Sequence, residues 1–437
     1  MAAHDVTEFS RSAGPVPVGT QCDPSLARPR PKVFLHIGEP KTGTTFLQQV
    51  LWRNRSELAA QGVVLPGHHP QDHYRASQDL RDIPKLADDP AASWTGEWEI
   101  LARQAQQAPK VAVISHELFS AADADQADRA IRSLLPAEVH VVVTVRDIAT
   151  LLPAEWQETV KHRNSRGWED WLQDVIDRES AAADRRQWWF WRVHDTMAIL
   201  GIWSRLLPPG HVHVIVIPPR GSANEVLWRR FAALLGIDPG SVDLSRARPN
   251  SSLGLPEIEF LRQLNQALPD EVPDWFYMWN VKETLAHRTL AARPRGERLA
   301  LPAGRQAWAR AAADSVALAL SDSKYDVIGD IDDLLPAPAG GPSASPASQP
   351  AAAVLDAAVD AASALVVQQY RKAYPAARPQ RGLAPQRGLV RRVESSVASS
   401  PRVKRTVREL SSRFPAVRQA RVLLWRALER RRVRGQR

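Results

Sequence analysis

One cysteine, Cys22, is all that the 437 residues contain, which excludes a disulfide framework and any cysteine-rich metal centre and suits a reducing compartment. Long apolar runs are missing too. The best candidate, 351–367, carries Asp356 and Asp360, so no membrane span is expected. The opening MAAHDVTEFSRSAG has no apolar segment of the kind a signal peptide needs, and 1–31 reads as a disordered leader. Even charge is lacking as well. Residues 371–437 hold 20 Lys/Arg against 3 Glu, while the whole chain is only +9, so everything before them is net acidic. Partner arguments from overall basicity therefore apply to the tail alone.

What is present is an apolar fraction of 44% with 15 Trp, ample for a large core. Short β-branched runs at 33–37, 111–115, 139–145 and 212–217, with a shorter one at 62–65, predict strands. Helical patterns separate them at 45–60, 97–107, 126–135, 148–161, 168–176, 196–206 and 225–235, and two more follow at 256–267 and 306–321. Strands alternating with helices imply an α/β, three-layer fold with a mainly parallel central sheet flanked by helices. The segment 325–334 looks like its closing element. The domain is expected over 32–335, a Pro/Ala/Ser linker over 336–350, and an Ala-rich helix with a basic amphipathic tail over 351–437.

The segment Lys32 to Leu51, KVFLHIGEPKTGTTFLQQVL, runs from a buried strand through a tight turn into a helix. Gly43 lets the backbone close on an oxyanion. The first-turn amides of the helix have no intrahelical partners, its dipole favours negative charge, and Lys41 adds a full charge. Gly38 and Gly43 have the spacing of a G-x-x-x-x-G-K-[ST] loop, but Thr44 follows Gly43 and the lysine precedes it. An ATP or GTP loop is therefore a poor match, and a kinase would also need an acidic strand end for which Asp147 alone is available.

The order Pro40-Lys41-Thr42-Gly43-Thr44-Thr45 resembles the 5′-phosphosulfate loop, P-K-x-G-T-T, of sulfotransferases that use 3′-phosphoadenosine 5′-phosphosulfate (PAPS), in bacterial and carbohydrate-sulfotransferase-like forms. The resemblance implies a P-loop-like fold, a nucleotide-binding transferase, and contacts to PAPS from Lys41, Thr42, Gly43, Thr44 and Thr45. Val145-Arg146-Asp147 at the fourth strand's end resembles the same family's 3′-phosphate motif, V-R-D-x-x-x-x-x-x-S-x-W, with Trp156 in register and Arg146 as the phosphate ligand. Ala154 stands where the family has serine, a departure that puts tight PAPS affinity in question and leaves room for a catalytically impaired nucleotide- or glycan-binding protein. Asn250 and Ser252 match an N-x-S-L segment of the family, although Ser251 and Ser252 also suit a helix cap.

The family's base is a histidine or a glutamate near the end of the third strand. Here His116 and Glu117 are adjacent, and strand alternation sends one of them into the cleft. Either is open as the base, with Glu117 preferred and a purely structural pair as the third reading. The resemblance implies sulfation of a hydroxyl on a carbohydrate or glycolipid. No metal is expected, since Lys41, Arg146 and helix dipoles carry the charge. Trp188-Trp189-Phe190-Trp191 is either core or an acceptor wall, and Lys161, His162 and Arg163 either border the site or face solvent. His36 is expected to be packed, and His68, His69 and His73 to be chance loop histidines. The Arg-rich, Leu- and Trp-bearing stretch 401–437 suggests an anionic membrane surface or other polyanion as partner, with no specific nucleic acid. The expected location is cytoplasmic, at the inner membrane face.

Overall fold

The computed structural model describes residues 29–84, 94–179, 187–247, 252–294, 296–337 and 344–373. The chain divides into one unit ending at Val367 and another from Gln368 onward. Cys22, most of the leader, part of the linker and the 401–437 stretch lie outside the described residues.

Six strands form one sheet: β1 (Lys32–His36), β2 (Val63–Val64), β3 (Val111–Ser115), β4 (Glu138–Val145), β5 (Val212–Val216) and β6 (Asp326–Ile328). Their spatial order is β2-β3-β1-β4-β5-β6, and every pairing is parallel. The chain winds outward from β1 in both directions, so the crevice beyond the carboxyl ends of β1, β3 and β4 is the topological switch point where ligands bind in such sheets. The 325–334 segment supplies β6, the closing edge strand.

Side-chain alternation along the strands makes two cores. Val33, Leu35 and Ile37 point to one face with Val141 and Val143, under α3 (Pro70–Leu80), α4 (Glu97–Gln106), α5 (Ala124–Leu134) and α9 (Thr196–Trp203). Phe34, Val113, Val142 and Ile215 point to the other, under α1 (Thr44–Arg53), α2 (Arg55–Ala60) and α10 (Asn224–Leu235). The sequence predicts one helix over 45–60; it is two, because Asn54 leaves helical geometry and its side-chain amide bonds the carbonyls of Val50 and Asp243.

A third core is all helical and leans on α6 (Ile148–Lys161). Trp156 joins Trp168 and Trp171 of α7 (Trp168–Glu179), Phe190 and Trp191 of α8 (Trp189–His194), and Ile258 and Leu261 of α11 (Leu255–Ala267). Tyr277 ends the short α12 (Asp274–Tyr277), which winds into a π-helix over Met278–Thr289, and α13 (Gln306–Ser321) closes this side.

The loop expected around His68, His69 and His73 gives way to α3, which starts at Pro70 with His69 and Asp72 forming a reciprocal cap. In the Ala-rich helix, α14 (Ala351–Ala373), Ala357 and Ala361 enter the third core and Arg293 pairs with Asp360. By length and composition α14 is also long and apolar enough to cross a membrane, despite Asp356 and Asp360.

Candidate active site

The 38–45 loop continues the line of β1. Ile37 and Glu39 still donate to Val142 and Thr144 carbonyls, which pins the loop to β4. Gly38 sits at φ +64°, and a Cβ there would lie 2.6 Å from Thr44 Cγ2 and 3.1 Å from the Glu117 backbone. Gly38→Ala is therefore expected to destabilise by about 2 kcal/mol or more, from left-handed strain alone, before the clash is added; chemical denaturation measures it. Gly43, at φ +82°, leads into α1 without any side-chain cap on the first turn, so the amides there remain for a ligand. Lys41 holds the left-handed region at φ +62°, a strained setting for a side chain of its length.

The threonines divide. Thr42 is buried, its hydroxyl donating to the Glu39 carbonyl at 2.5 Å and lying 2.6 Å from the Thr144 hydroxyl. It braces the loop from beneath, unlike the ligand contact that the sequence suggests. Thr44 is buried and Thr45 half-buried in the first turn of α1. His36, below them, is packed as expected, bonded to Ser115 and Thr144 hydroxyls, with burial pushing its pKa down to about 4.

Arg146 follows β4 and donates from Nη1 to the Lys41 carbonyl at 3.0 Å, so the two basic residues named by the sequence meet. Burial lowers its pKa, Asp147 opposes this, and Arg220 beyond β5 adds to it. Arg220 is exposed and close enough to repel Arg146. Sequence reading missed it because a bend after β5 carries no motif. Asp147 caps α6 by accepting from the Thr150 amide at 2.8 Å.

His116 and Glu117 are not neighbours on a strand. β3 ends at Ser115, His116 is the N-cap of a short 3-10 helix, and Glu117 is that helix's first residue (Glu117–Ala121). The alternation expected of them therefore does not apply. His116 Nδ1 accepts from the Leu118 amide at 3.2 Å while its ring rests against Tyr74. Burial lowers its pKa, Glu117 opposes this and Arg81 reinforces it, so the imidazole is neutral with its one lone pair already used. Glu117 lies against the loop and accepts from Gln48 of α1 at 3.0 Å. Burial would raise its pKa, but His116, its own backbone, Gln48 and Lys41 together hold it lower, as a carboxylate.

Lys41 Nζ meets Glu158 Oε2 at 2.7 Å. Around the same carboxylate lie Lys161 at 3.5 Å, Lys282 at 2.8 Å and His162 at 3.3 Å. Burial disfavours the Lys41 ammonium, yet Glu158 and Glu155 outweigh it and raise its pKa. Lys161 goes the other way, because burial exceeds what Glu158 returns to it. Lys282 comes from the π-helix, whose wider turn is common at functional sites. Nothing in the sequence marks that winding, so Lys282 and Glu158 were not foreseen. Arg163 turns away and donates to the Pro269 and Val272 carbonyls.

Beneath this layer is a buried group from three distant segments. His194 of α8 lies between Glu39 of the loop, 3.6 Å away, and Glu155 of α6, 3.5 Å away. Thr196 donates to Glu39 at 2.5 Å. Burial opposes charge on His194, but Glu155 and Glu39 overcome it and raise the pKa to about 9.

Asn250 lies outside the described residues, and Ser252 is exposed. Its neighbour Leu253 donates to Gln157 of α6 at 3.2 Å, which keeps this segment beside the site. Phe190 and Trp191 are core, and Trp188, Trp189 and Phe190 line a cavity of about 280 Å³ with Glu155, Thr159 and Trp171. His68 and His69 enter the α3 cap, and His73 is buried against the Pro66 carbonyl at 2.9 Å.

No protein-family model matches the sequence, and no curated protein matches it. Among solved structures the chain is similar to a sulfotransferase from Alicyclobacillus acidocaldarius, with 16% identity and a TM-score of 0.32 over 61% of this chain and 99% of that one.

Proposed function

We propose that the chain is a PAPS-dependent sulfotransferase acting on an acceptor hydroxyl of a carbohydrate or glycolipid, in the cytoplasm, with the basic tail on an anionic membrane surface. The observation that carries the reading is the meeting of Lys41 and Arg146 at an uncapped helix N-terminus, in a loop whose lysine precedes its last glycine. The cradle suits an anionic nucleotide: the first turn of α1 after Gly43 has no side-chain cap, and four basic side chains crowd one carboxylate, Glu158, beside it.

PAPS, when bound, supplies the sulfuryl group, whose bond to the bridging phosphate oxygen breaks as its bond to the acceptor oxygen forms. Glu117 takes the acceptor's proton, because it is ionised and its second oxygen is not needed by Gln48. Lys41 steadies the charge that grows on the leaving oxygen. Arg146, assisted by Arg220, holds the 3′-phosphate by charge-assisted hydrogen bonds. Trp188 and Trp189 offer apolar ring faces to a sugar at the cavity beside α6.

Glu117→Gln is expected to lower turnover by about 10²–10⁴-fold with calorimetric affinity for the product nucleotide PAP unchanged. His116→Asn, which keeps an acceptor for the Leu118 amide, stays within about tenfold of the parent. The opposite ranking would hand the base to His116. Ala154 motivates a second reading, a protein that binds the nucleotide without turnover. PAP binding with no transfer to any acceptor in a radiolabelled screen selects that one, and no PAP binding removes both.

A further inference from the structure

All strands being parallel, the sheet has a second end, where β4, β5 and β6 begin, and a chain of polar side chains crosses it away from the loop. Glu138 Oε1 lies 2.9 Å from His140 Nε2, His140 Nδ1 lies 2.9 Å from His213 Nε2, and His213 Nδ1 lies 2.7 Å from Asp326 Oδ2. Three such contacts need three hydrogens. Two neutral imidazoles carry two.

One assignment of the two hydrogens leaves a lone pair facing Glu138. If His213 gives its Nδ1 hydrogen to the Asp326 carboxylate, its Nε2 accepts from His140 Nδ1, and His140 is left with a bare Nε2 facing Glu138. A second imidazole does the same. His211 Nδ1 is 3.1 Å from the Val139 carbonyl, which can only accept, so its hydrogen is there and its bare Nε2 faces Glu138 Oε1 at 3.8 Å. Two nitrogen lone pairs thus converge on one carboxylate, all ligand atoms lying within 4.8 Å of one another. Lone pairs at that range repel unless a cation sits among them. Lys32 reaches the same Glu138 oxygen at 3.4 Å, but its side chain is half exposed and can swing into solvent.

We propose that Glu138, His140 and His211 bind a divalent transition metal, Zn²⁺ being the ion best suited to two imidazoles and a carboxylate with a further position for water. His213 and Asp326 orient the His140 ring from behind, the arrangement that commonly supports a metal-bound histidine. His140 and His211 are stacked with centroids 4.4 Å apart, so the more exposed His211 tilts to bring both lone pairs onto one ion. The ion ties β4 to the segment entering β5. It has no part in sulfuryl transfer.

The test uses the full chain without an affinity tag, stripped with a chelator and titrated with zinc chloride by calorimetry. One equivalent binds at micromolar affinity or tighter, and Co²⁺ in its place gives the visible absorption of a low-coordinate site. Glu138→Gln and His211→Ala each weaken binding at least about tenfold, and so does Asp326→Asn; a His68→Ala/His69→Ala control leaves it unchanged. A parent chain that takes up no Zn²⁺, or binding that survives both Glu138→Gln and His211→Ala, overturns the proposal. Both half-exposed sites tolerate substitution without loss of fold, which a circular dichroism spectrum of each variant checks.

Discussion

Replacing Lys41 with Met is expected to reduce sulfuryl transfer by about 10²–10³-fold while the fold survives. The first half follows from position. Lys41 is the one basic side chain inside the loop, and removing a single donor to a developing oxyanion has that order of effect on turnover. The second half follows from Glu158. In most buried ion pairs, deleting one partner strands the other and costs about 3–5 kcal/mol. Here Lys161 and Lys282 stay on the same carboxylate at 3.5 and 2.8 Å, so Glu158 is not left bare. Met keeps the Cβ and a similar length at φ +62°, so the substitution adds no backbone strain. Single-turnover transfer from labelled PAPS reads the chemistry, and thermal melting reads the fold. A variant that melts with the parent and retains most of its turnover would remove Lys41 from the mechanism.

The largest effect on stability is expected at His194. His194→Gln leaves Glu39 and Glu155 buried and facing each other without a cation, a loss of about 3–5 kcal/mol. The parent protein should show the same group in its pH profile. The folded-state pKa of about 9 lies above the unfolded value of 6.5, so the stabilisation is complete below about pH 6.5, declines as pH rises, and is gone above about 9. A shift of that size corresponds to about 3 kcal/mol. Urea denaturation at pH 6, 8 and 10 should therefore show falling stability in the parent and a flatter profile in the variant. Equal slopes in the two proteins would mean that His194 is neutral in the fold.

These two residues also mark how far the sequence can be read. Lys41 was legible because its chemistry is local: strand, turn, glycine and helix follow one another within twenty residues, and Arg146 sits at an identifiable strand end. The β-branched runs gave β1 to β5 directly, since each is a continuous apolar segment between turns. Glu39, Glu155 and His194 were not legible, because only the packing of α6 and α8 against the loop brings them together. Lys282 depends on a π-helical register that no side-chain pattern announces. His116 and Glu117 were correctly located but wrongly oriented: the strand stops one residue earlier than alternation requires. Pro70 with Asp72 two residues on is the helix-start pattern that marks α3.

The ring of cations on Glu158 bears on selectivity among anions. In the ligand-free protein the cradle already holds its own counter-ion, covalently attached and therefore at very high local concentration. Chloride or another monovalent ion arriving from solution must compete with that tethered carboxylate for the same ammonium groups. Under the proposed function, a ligand with phosphate at both ends would compete differently, since Arg146 would anchor one end and make the exchange at Lys41 intramolecular. Abundant small anions would thus be screened out by a residue that never has to leave the protein.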